Sequence, residues 1–210
     1  MSDSSHLVMP EDHMERLYRS GNPLVRFVHV NRLRQIVAAM PRAHRLRVLD
    51  AGCGEGHLIE MLHDADDTHT YHGIDVTPGA LEKARARCPF AEFQRMDLTR
   101  IAFGEASFDV VVCTEVLEHV VDCAAAVREL RRVLKPDGHL IITFPNEVLW
   151  TAARFLLGRR PIRVPDHVNR LFPEEMTALT GMELVSQRNL PFGLPFPVSL
   201  GCLMKLRRRG

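Results

Sequence analysis

The sequence lacks the cysteine pairs that mark disulfide-rich or zinc-binding proteins. Its five cysteines, an odd number, are scattered along the chain, and no two of them form a CxxC pair or another metal-ligand spacing. Thiols in this arrangement suit a reducing compartment, where disulfides are rare. The absence argues against a disulfide framework and favours a cytoplasmic protein.

Long apolar runs and an excess of charge are also missing. No apolar stretch approaches the roughly 20 residues that span a bilayer, and the N-terminus lacks the basic-then-apolar pattern of a secretory signal. With 27 Lys+Arg against 26 Asp+Glu, the net charge of +1 provides no overall attraction to nucleic acid. The basic cluster Arg207–Arg209 is interpreted as a solvated end. We therefore expect no transmembrane segment and no nucleic-acid partner.

Strand-like and helix-like segments alternate through the middle of the chain, and no internal repeat interrupts them. This alternation predicts a parallel sheet with helices on both faces. The run Val110–Cys113 is apolar at every position, as in a central strand that is covered from both sides. The five predicted strands are Arg45–Asp50, Thr70–Asp75, Glu92–Met96, Phe108–Thr114 and His139–Phe144.

Proline and glycine delimit several predicted helices. Pro23 and Pro41 bracket one, with a possible apolar stripe of Leu24, Phe27, Ile36, Val37 and Met40. Another runs from Asp122 to Leu134 and ends at the turn 135–138, which cannot continue a helix. The remaining helices are Val148–Leu157 and Pro173–Thr180, and the last two strands, Glu183–Asn189 and Val198–Arg207, should pair antiparallel.

A glycine-rich turn follows the first predicted strand. The strand runs into DAGCGEG, residues 50–56, and the second strand ends in Asp75. Such a turn lets a ligand approach the backbone, and a carboxylate at the tip of the second strand can accept both hydroxyls of a ribose. The dinucleotide pattern GxGxxG would need a glycine where this chain has His57. That difference counts against an NAD-dependent oxidoreductase, which stays the alternative enzyme.

Five motifs in a fixed order resemble those of the class I S-adenosylmethionine-dependent methyltransferases. They are VLDAGCGEG, GIDV, the pair Met96-Asp97, FDVVVCTEVLEHV and LRRVLKPDGHLIITFPNE, and they cover about residues 45–147. The resemblance implies an α/β, Rossmann-like, doubly wound and mostly parallel seven-stranded sheet with an antiparallel last strand. It also implies S-adenosyl-L-methionine as the cofactor. An acid beside the turn suits this cofactor, which carries an ammonium and a sulfonium group.

The resemblance assigns roles to residues of this chain. Asp50, Gly52 and Gly54 would line the methionine end of the cofactor. Asp75 would hold the ribose, and Asp97 with Leu98 would border the adenine. The complete predicted cofactor site consists of Asp50, Ala51, Gly52, Gly54, Gly56, Asp75, Val76, Asp97, Leu98 and Thr114.

Glu118 and His119 are the predicted catalytic residues. They follow the fourth strand at the carboxyl ends of the strands, where ligands bind in such sheets. His119 could accept a proton from a hydroxyl group during methyl transfer, whereas the alternative is that both residues only cap the next helix. With Glu115 they resemble the ExxEH pattern of ubiquinone-pathway O-methyltransferases, in which these residues hold a divalent metal. All three can bind a metal, but the pattern is short, and we assign none from the sequence.

The acceptor is predicted to be a small molecule, methylated on oxygen. Its specificity should come from Tyr18, Phe27 and His29 near the N-terminus, and from His167 and Asn169 in the insertion after the fifth strand. The stretch LWTAARFLLGRR either covers the acceptor pocket or lies in a membrane interface and admits a lipid-like acceptor. A non-catalytic S-adenosylmethionine-binding protein is the main alternative, and both a monomer and a homodimer fit the pattern.

We predict one methyltransferase domain over residues 1–210, because this length suffices for one core and is short for two. Its predicted parts are an N-terminal helical cover (1–43), a cofactor-binding core (44–147), an acceptor-side insertion (148–181) and a C-terminal strand pair (182–210).

Overall fold

The computed structural model describes residues 21–156 and 167–210. Within these ranges one sheet of seven strands has the order β3-β2-β1-β4-β5-β7-β6. Strands β1 to β5 pair in parallel, and β7 is antiparallel to both β5 and β6. The predicted doubly wound, mostly parallel sheet with an antiparallel last strand is confirmed. The strands are β1 (Arg47–Ala51), β2 (Thr70–Asp75), β3 (Glu92–Arg95), β4 (Phe108–Thr114), β5 (Leu134–Pro145), β6 (Glu183–Leu190) and β7 (Gly201–Arg207).

Helices pack on both faces of the sheet. One buried cluster contains Leu33, Ile59 and Leu81 from α1, α2 and α3. The other contains Leu130 and Met176 from α4 and α6. No helix in the described ranges combines the length and the apolar character needed to cross a membrane. The helices are α1 (Pro23–Ala39), α2 (His57–Ala65), α3 (Pro78–Arg87), α4 (Cys123–Val133), α5 (Glu147–Leu156) and α6 (Pro173–Thr180).

Side chains of the central strand β4 belong to both buried clusters. Val110 and Val112 belong to the cluster with α1, α2 and α3, whereas Val111 and Cys113 belong to the cluster with α4 and α6. Successive side chains of a strand point to opposite faces of the sheet. The run Val110–Cys113 is continuously apolar because the strand is buried on both sides, as the sequence analysis predicted.

The junction between α4 and β5 contradicts the prediction. The helix ends at Val133, and Leu134 is already extended, with φ −78° and ψ 134°. Strand β5 begins there, not at His139, and residues 135–138 form an irregularity inside the strand and not a turn that separates two elements. The N–H of Asp137 donates to the carbonyl of Arg208 at 2.8 Å. This bond comes from the far end of the chain, so local sequence could not reveal it.

Two further predictions were wrong. Val198 does not begin the last strand, because residues 196–198 form a 3₁₀ turn and β7 starts at Gly201. Leu24 and Phe27 do not belong to a buried stripe, since they are 64% and 43% exposed. Helix α1 reaches the core only through its second half, where Leu33 and Ile36 are buried. The other predicted strands agree with the structure to within two residues at each end.

Candidate active site

The glycine-rich turn after β1 has a backbone that side chains would disturb. Gly52, Gly54 and Gly56 have φ values of +87°, +50° and +79°, a region that glycine adopts without steric cost. A Cβ atom on Gly52 would also lie 2.3 Å from Cγ2 of Val116. Both the backbone conformation and the close approach of Val116, in the loop after β4, therefore require glycine at position 52.

Asp75, at the tip of β2, stabilises this turn from the neighbouring strand. Its Oδ2 accepts a hydrogen bond from the N–H of Gly54 at 2.9 Å, and its Oδ1 accepts one from the N–H of Thr77 at 2.8 Å. The N–H of Gly52 donates to the carbonyl of Ile74 at 2.7 Å. These hydrogen bonds join the loops after β1 and β2 into one unit.

A cleft lies at the carboxyl ends of the parallel strands. Its walls come from the loops that follow β1, β2, β3 and β4. Six of the predicted site residues line it, and Val116 and Val120 join them. The lining residues are Gly52, Asp75, Val76, Asp97, Leu98, Val116, His119 and Val120. The structure therefore brings His119 to the same space as the predicted cofactor residues.

The remaining predicted site residues are not among those that line the cleft. Asp50 is 2% exposed. Burial, and secondly the nearby charge of Asp75, raises the pKa of Asp50 to about 7. A cationic group brought next to this carboxyl would stabilise its ionised form. The other members of this set are Ala51, Gly54, Gly56, Thr114 and Glu118.

The turn that carries Glu118 and His119 is held by a segment far along the chain. The carbonyl of Glu118 accepts hydrogen bonds from the N–H groups of Val168 and Asn169 at 2.8 and 3.0 Å. The side-chain amide of Asn169 donates to the carbonyls of Leu117 and Val120 at 3.0 and 2.7 Å. Asn169, which we predicted to act in acceptor specificity, thus holds the backbone of this turn.

Glu118, His119 and His167 lie together beside the cleft. One possible ligand atom of each residue lies within 4.8 Å of those of the other two. The rings of His119 and His167 meet edge to face, with their centroids 4.7 Å apart. Nδ1 of His167 contacts Oε1 of Glu147. Burial, and secondly the charge of Glu115, raises the pKa of the Glu118 carboxyl well above its ordinary value.

Glu115 is directed away from this group. Its Oε2 lies 3.2 Å from Nη1 of the buried Arg32 on α1, and its Oε1 accepts a hydrogen bond from Thr143 at 3.0 Å. Glu115 also has a positive φ of +52°, which is uncommon for a residue with a side chain. Of the three residues in the ExxEH pattern, only Glu118 and His119 thus join His167.

Sequence reasoning missed two charged residues of this region, Glu147 and Arg32. Glu147 lies two residues after the end of β5, at the edge of the sheet where ligands bind, and this position could have identified it. Arg32 gave no such signal, because its partner Glu115 lies on a distant loop. Among the predicted acceptor residues, Phe27 stacks on Phe192 with centroids 6.0 Å apart.

Two other predicted acceptor residues and one predicted segment have different outcomes. His29 lies on α1 and is partly buried. Tyr18 lies outside the described residues, as do positions 157–160 at the end of the stretch LWTAARFLLGRR. The part of that stretch within the structure belongs to α5, whose Trp150 donates from its indole N–H to the carbonyl of Leu200 at 3.2 Å.

Comparison with known proteins identifies the family. Residues 49–142 match the family described as "Methyltransferase domain". A probable S-adenosylmethionine-dependent methyltransferase of Mycobacterium tuberculosis is 34% identical over 139 residues, which cover 66% of this chain and 48% of that protein. The chain therefore spans about half the length of the curated relatives of this kind that it matches.

A second relative and a solved structure agree with this result. A ubiquinone biosynthesis O-methyltransferase of Neisseria meningitidis is 31% identical over 161 residues, which cover 70% of this chain and 67% of that protein. The crystal structure of magnesium protoporphyrin IX methyltransferase from Synechocystis, with bound SAH, has the same fold, with a TM-score of 0.73 at 20% identity over 94% of this chain and 93% of that one. The chain therefore belongs to the S-adenosylmethionine-dependent methyltransferases.

Proposed function

We propose that this chain transfers a methyl group from S-adenosylmethionine to an oxygen atom of a small molecule. The observation that carries the proposal is that His119 lines the same cleft as the predicted cofactor residues. These include Gly52, Asp75 and Asp97. In-line transfer needs the acceptor atom roughly 3 Å from the methyl carbon, and a shared cleft allows this approach. The choice of oxygen rests on the similarity to the ubiquinone biosynthesis O-methyltransferase.

In this proposal the cofactor lies at the end of the cleft nearest β1, β2 and β3. Asp75 accepts the ribose hydroxyl groups, because each carboxylate oxygen has a lone pair beyond the one used by the turn. Asp97 and Leu98 border the adenine, and Asp50 lies behind the methionine end, where it offsets positive charge. Ala51, Gly52, Gly54, Gly56, Val76 and Thr114 complete the proposed site.

The acceptor occupies the end of the cleft beside Val120 and His119. His119 hydrogen-bonds the acceptor hydroxyl and takes its proton as the new bond to the methyl group forms. The buried Glu118 carboxyl lies next to it, and the positive charge that forms on the imidazole favours the ionised form of this carboxyl. Methyl transfer itself needs no further protein group, since the leaving sulfur departs as a neutral thioether.

An apolar acceptor fits the surroundings of this end. Helix α5 begins at Glu147, which contacts His167 and through it the region of His119. On the same helix Val148, Trp150 and Phe155 are 54%, 37% and 67% exposed. Exposed apolar side chains on a helix that begins next to the His119–His167 group support an aromatic or lipid-like acceptor over a highly charged one. We propose a phenol, either free or carried on a lipid-like chain.

The first test is calorimetric titration of the purified protein with S-adenosylhomocysteine. Micromolar binding is expected, with a loss of at least about tenfold in Asp75→Ala, because the turn and the ribose both lose their carboxylate. Asp67→Ala removes an exposed acid from the loop before β2 and should bind like the wild type. NAD is the control ligand, and preferential binding of NAD would favour the oxidoreductase.

A methyl-transfer assay then separates an enzyme from a binding protein. Labelled S-adenosylmethionine is incubated with a panel of phenols, with and without a lipid-like chain. Transfer that depends on Asp75 supports the proposal, whereas binding of the cofactor without transfer to any phenol favours the non-catalytic alternative. A cytoplasmic location, the absence of a nucleic-acid partner, the one-domain organisation and the choice between monomer and homodimer stay predictions.

A further inference from the structure

A group of side chains at the acceptor end of the cleft has the composition of a transition-metal site. Glu118 and His119 lie in the turn after β4, and His167 lies on the segment before α6. One ligand-type atom of each lies within 4.8 Å of those of the other two. Two imidazoles and one carboxylate are the protein ligands of several catalytic zinc sites, in which a further position stays open.

The buried side chain of Glu118 has one oxygen that no hydrogen bond within the described residues satisfies. Its side chain is 1% exposed, yet Oε2 has no hydrogen-bond partner among the described residues. Leaving a buried acceptor unsatisfied costs about 1–3 kcal/mol, and more when the group is charged. A cation bound beside this oxygen would remove that cost.

His167 is oriented as metal-binding histidines usually are. Its Nδ1 contacts Oε1 of Glu147, a residue that is only 7% exposed at the start of α5. Nε2 is then the nitrogen that can bind an ion. Histidine ligands commonly hold a carboxylate through their other ring nitrogen, which fixes the tautomer and the direction of the ring. The contact with Glu147 is therefore a second feature of a metal site, independent of Glu118.

Glu115 is the residue at which this geometry departs from the ExxEH pattern. One of its carboxylate oxygens is paired with the buried Arg32, and the other accepts a hydrogen bond from Thr143. An arginine held against a carboxylate competes with a cation for the same charge. The third ligand position is taken by His167, which lies on a different element of the fold.

We propose that Glu118, His119 and His167 bind one divalent transition-metal ion such as Zn²⁺, that Glu147 positions His167, and that Glu115 lies outside the ligand set. His119 also lines the cleft, so the site adjoins the acceptor end. When bound, the ion would polarise an acceptor oxygen, and this part rests on the proposed function. In the ion-bound protein His119 is a ligand and does not accept a proton through the same nitrogen.

Metal binding can be measured without an acceptor. The full chain, without an affinity tag and stripped with a chelator, is titrated with Zn²⁺ by calorimetry and with Co²⁺ by visible absorption. One equivalent of Zn²⁺ and the absorption bands of a four- or five-coordinate Co²⁺ centre are expected. Glu118→Gln and His167→Ala should weaken Zn²⁺ binding by at least about 100-fold, and Glu147→Gln by about 10–100-fold.

Two matched controls show whether the ligand set is the proposed one. Glu115→Gln removes the charge of the remaining acid in the pattern, and His44→Ala removes a histidine whose side chain is 82% exposed. His44→Ala should bind Zn²⁺ within about threefold of the wild type. Glu115→Gln removes a nearby charge but no ligand, so it should weaken Zn²⁺ binding far less than the loss of Glu118 or His167. Circular dichroism checks that each variant is folded, and His167→Gln serves if His167→Ala is not.

Three results would overturn the inference. Equal Zn²⁺ affinity in all variants would indicate binding elsewhere on the surface. Loss in Glu115→Gln with retention in His167→Ala would assign the ExxEH ligand set. Failure of the wild type to bind Zn²⁺ would reject the site, and if that protein still binds S-adenosylhomocysteine, the proposed function survives. Failure to bind S-adenosylhomocysteine while Zn²⁺ still binds would instead count against the proposed function.

Discussion

The two ends of the cleft are built in different ways. At the end near β1 and β2, the walls come from short loops in which backbone N–H groups of Gly52 and Gly54 bond to the neighbouring strand. At the other end, side chains from the turn after β4, from the start of α5 and from the segment at His167 meet. The first end is built mainly from backbone groups of the glycine turn, and the second is built from side chains of separate elements. Substitutions should therefore separate cofactor binding from acceptor chemistry.

The largest expected effect is that of a side chain at Gly52. Gly52→Val should weaken binding of S-adenosylhomocysteine by about a thousandfold, because the backbone strain and the clash with Val116 each cost roughly 1–3 kcal/mol. Titration calorimetry measures the loss. Gly104→Val is the control, since a Cβ there meets only the Ser107 hydroxyl at 3.5 Å. In Gly52→Ala, adding Val116→Ala should restore part of the affinity, and a lack of any rescue would contradict the steric explanation.

A substitution at His119 should lower the rate of methyl transfer and leave cofactor binding nearly unchanged. His119→Ala should reduce the rate of methyl transfer by about 100-fold, as expected for the loss of an acid–base or ligand group, and leave the affinity for S-adenosylhomocysteine within about threefold. Single-turnover transfer and calorimetry on the same preparation test this. The difference between the two ends of the cleft would be refuted by a parallel loss of rate and cofactor affinity.

Asp50 connects the cofactor end to the stability of the fold. Burial raises the pKa of Asp50 to about 7 in the folded protein, compared with an ordinary value of 3.8, so the folded state holds this proton over a range in which the unfolded chain has lost it. The contribution of Asp50 to stability is therefore greatest below about pH 4 and falls as the pH rises to about 7. Between pH 5 and pH 7 the decrease should be about 2 kcal/mol.

Urea denaturation of wild type and Asp50→Asn at several pH values measures this contribution. Asparagine does not titrate, so the unfolding free energy of the variant relative to the wild type should rise from pH 5 to pH 7 and level off above that range. Parallel pH curves for the two proteins would show that Asp50 keeps an ordinary pKa. The comparison removes the titration of all other carboxyl groups, since both proteins share them.

The smallest expected effect is at Asn169. Asn169→Ala removes two hydrogen bonds to the turn that carries His119, and we expect the turnover rate to fall by about tenfold. Cofactor affinity should stay within about twofold, because the loops at β1 and β2 do not depend on this amide. Steady-state kinetics separates kcat from KM. Unchanged turnover would mean that the backbone contacts of the 168–169 segment hold the turn without the side chain.

The predictions from sequence succeeded where a local pattern corresponds to a local conformation. The glycine positions in residues 50–56, the acid at the end of β2 and the apolar run in β4 each reflect a requirement within a few residues. They failed at the start of β5 and of β7 and in the first half of α1. At the start of β5 a distant segment takes part, as the bond between Asp137 and Arg208 shows. In α1 the helix forms as predicted, but only its second half reaches the core.

The sequence by itself determined the order of the strands along the chain, the doubly wound class, the glycine turn with Asp75, and the family. Each of these depends on periodicity, glycine conformation or a motif, and all three can be recognised from residues that are close together in the sequence. Only the tertiary structure decided that His167 joins Glu118 and His119 and that Arg32 pairs with Glu115. The physical reason is that these side chains come from separate elements, and the packing of those elements sets the distances between them.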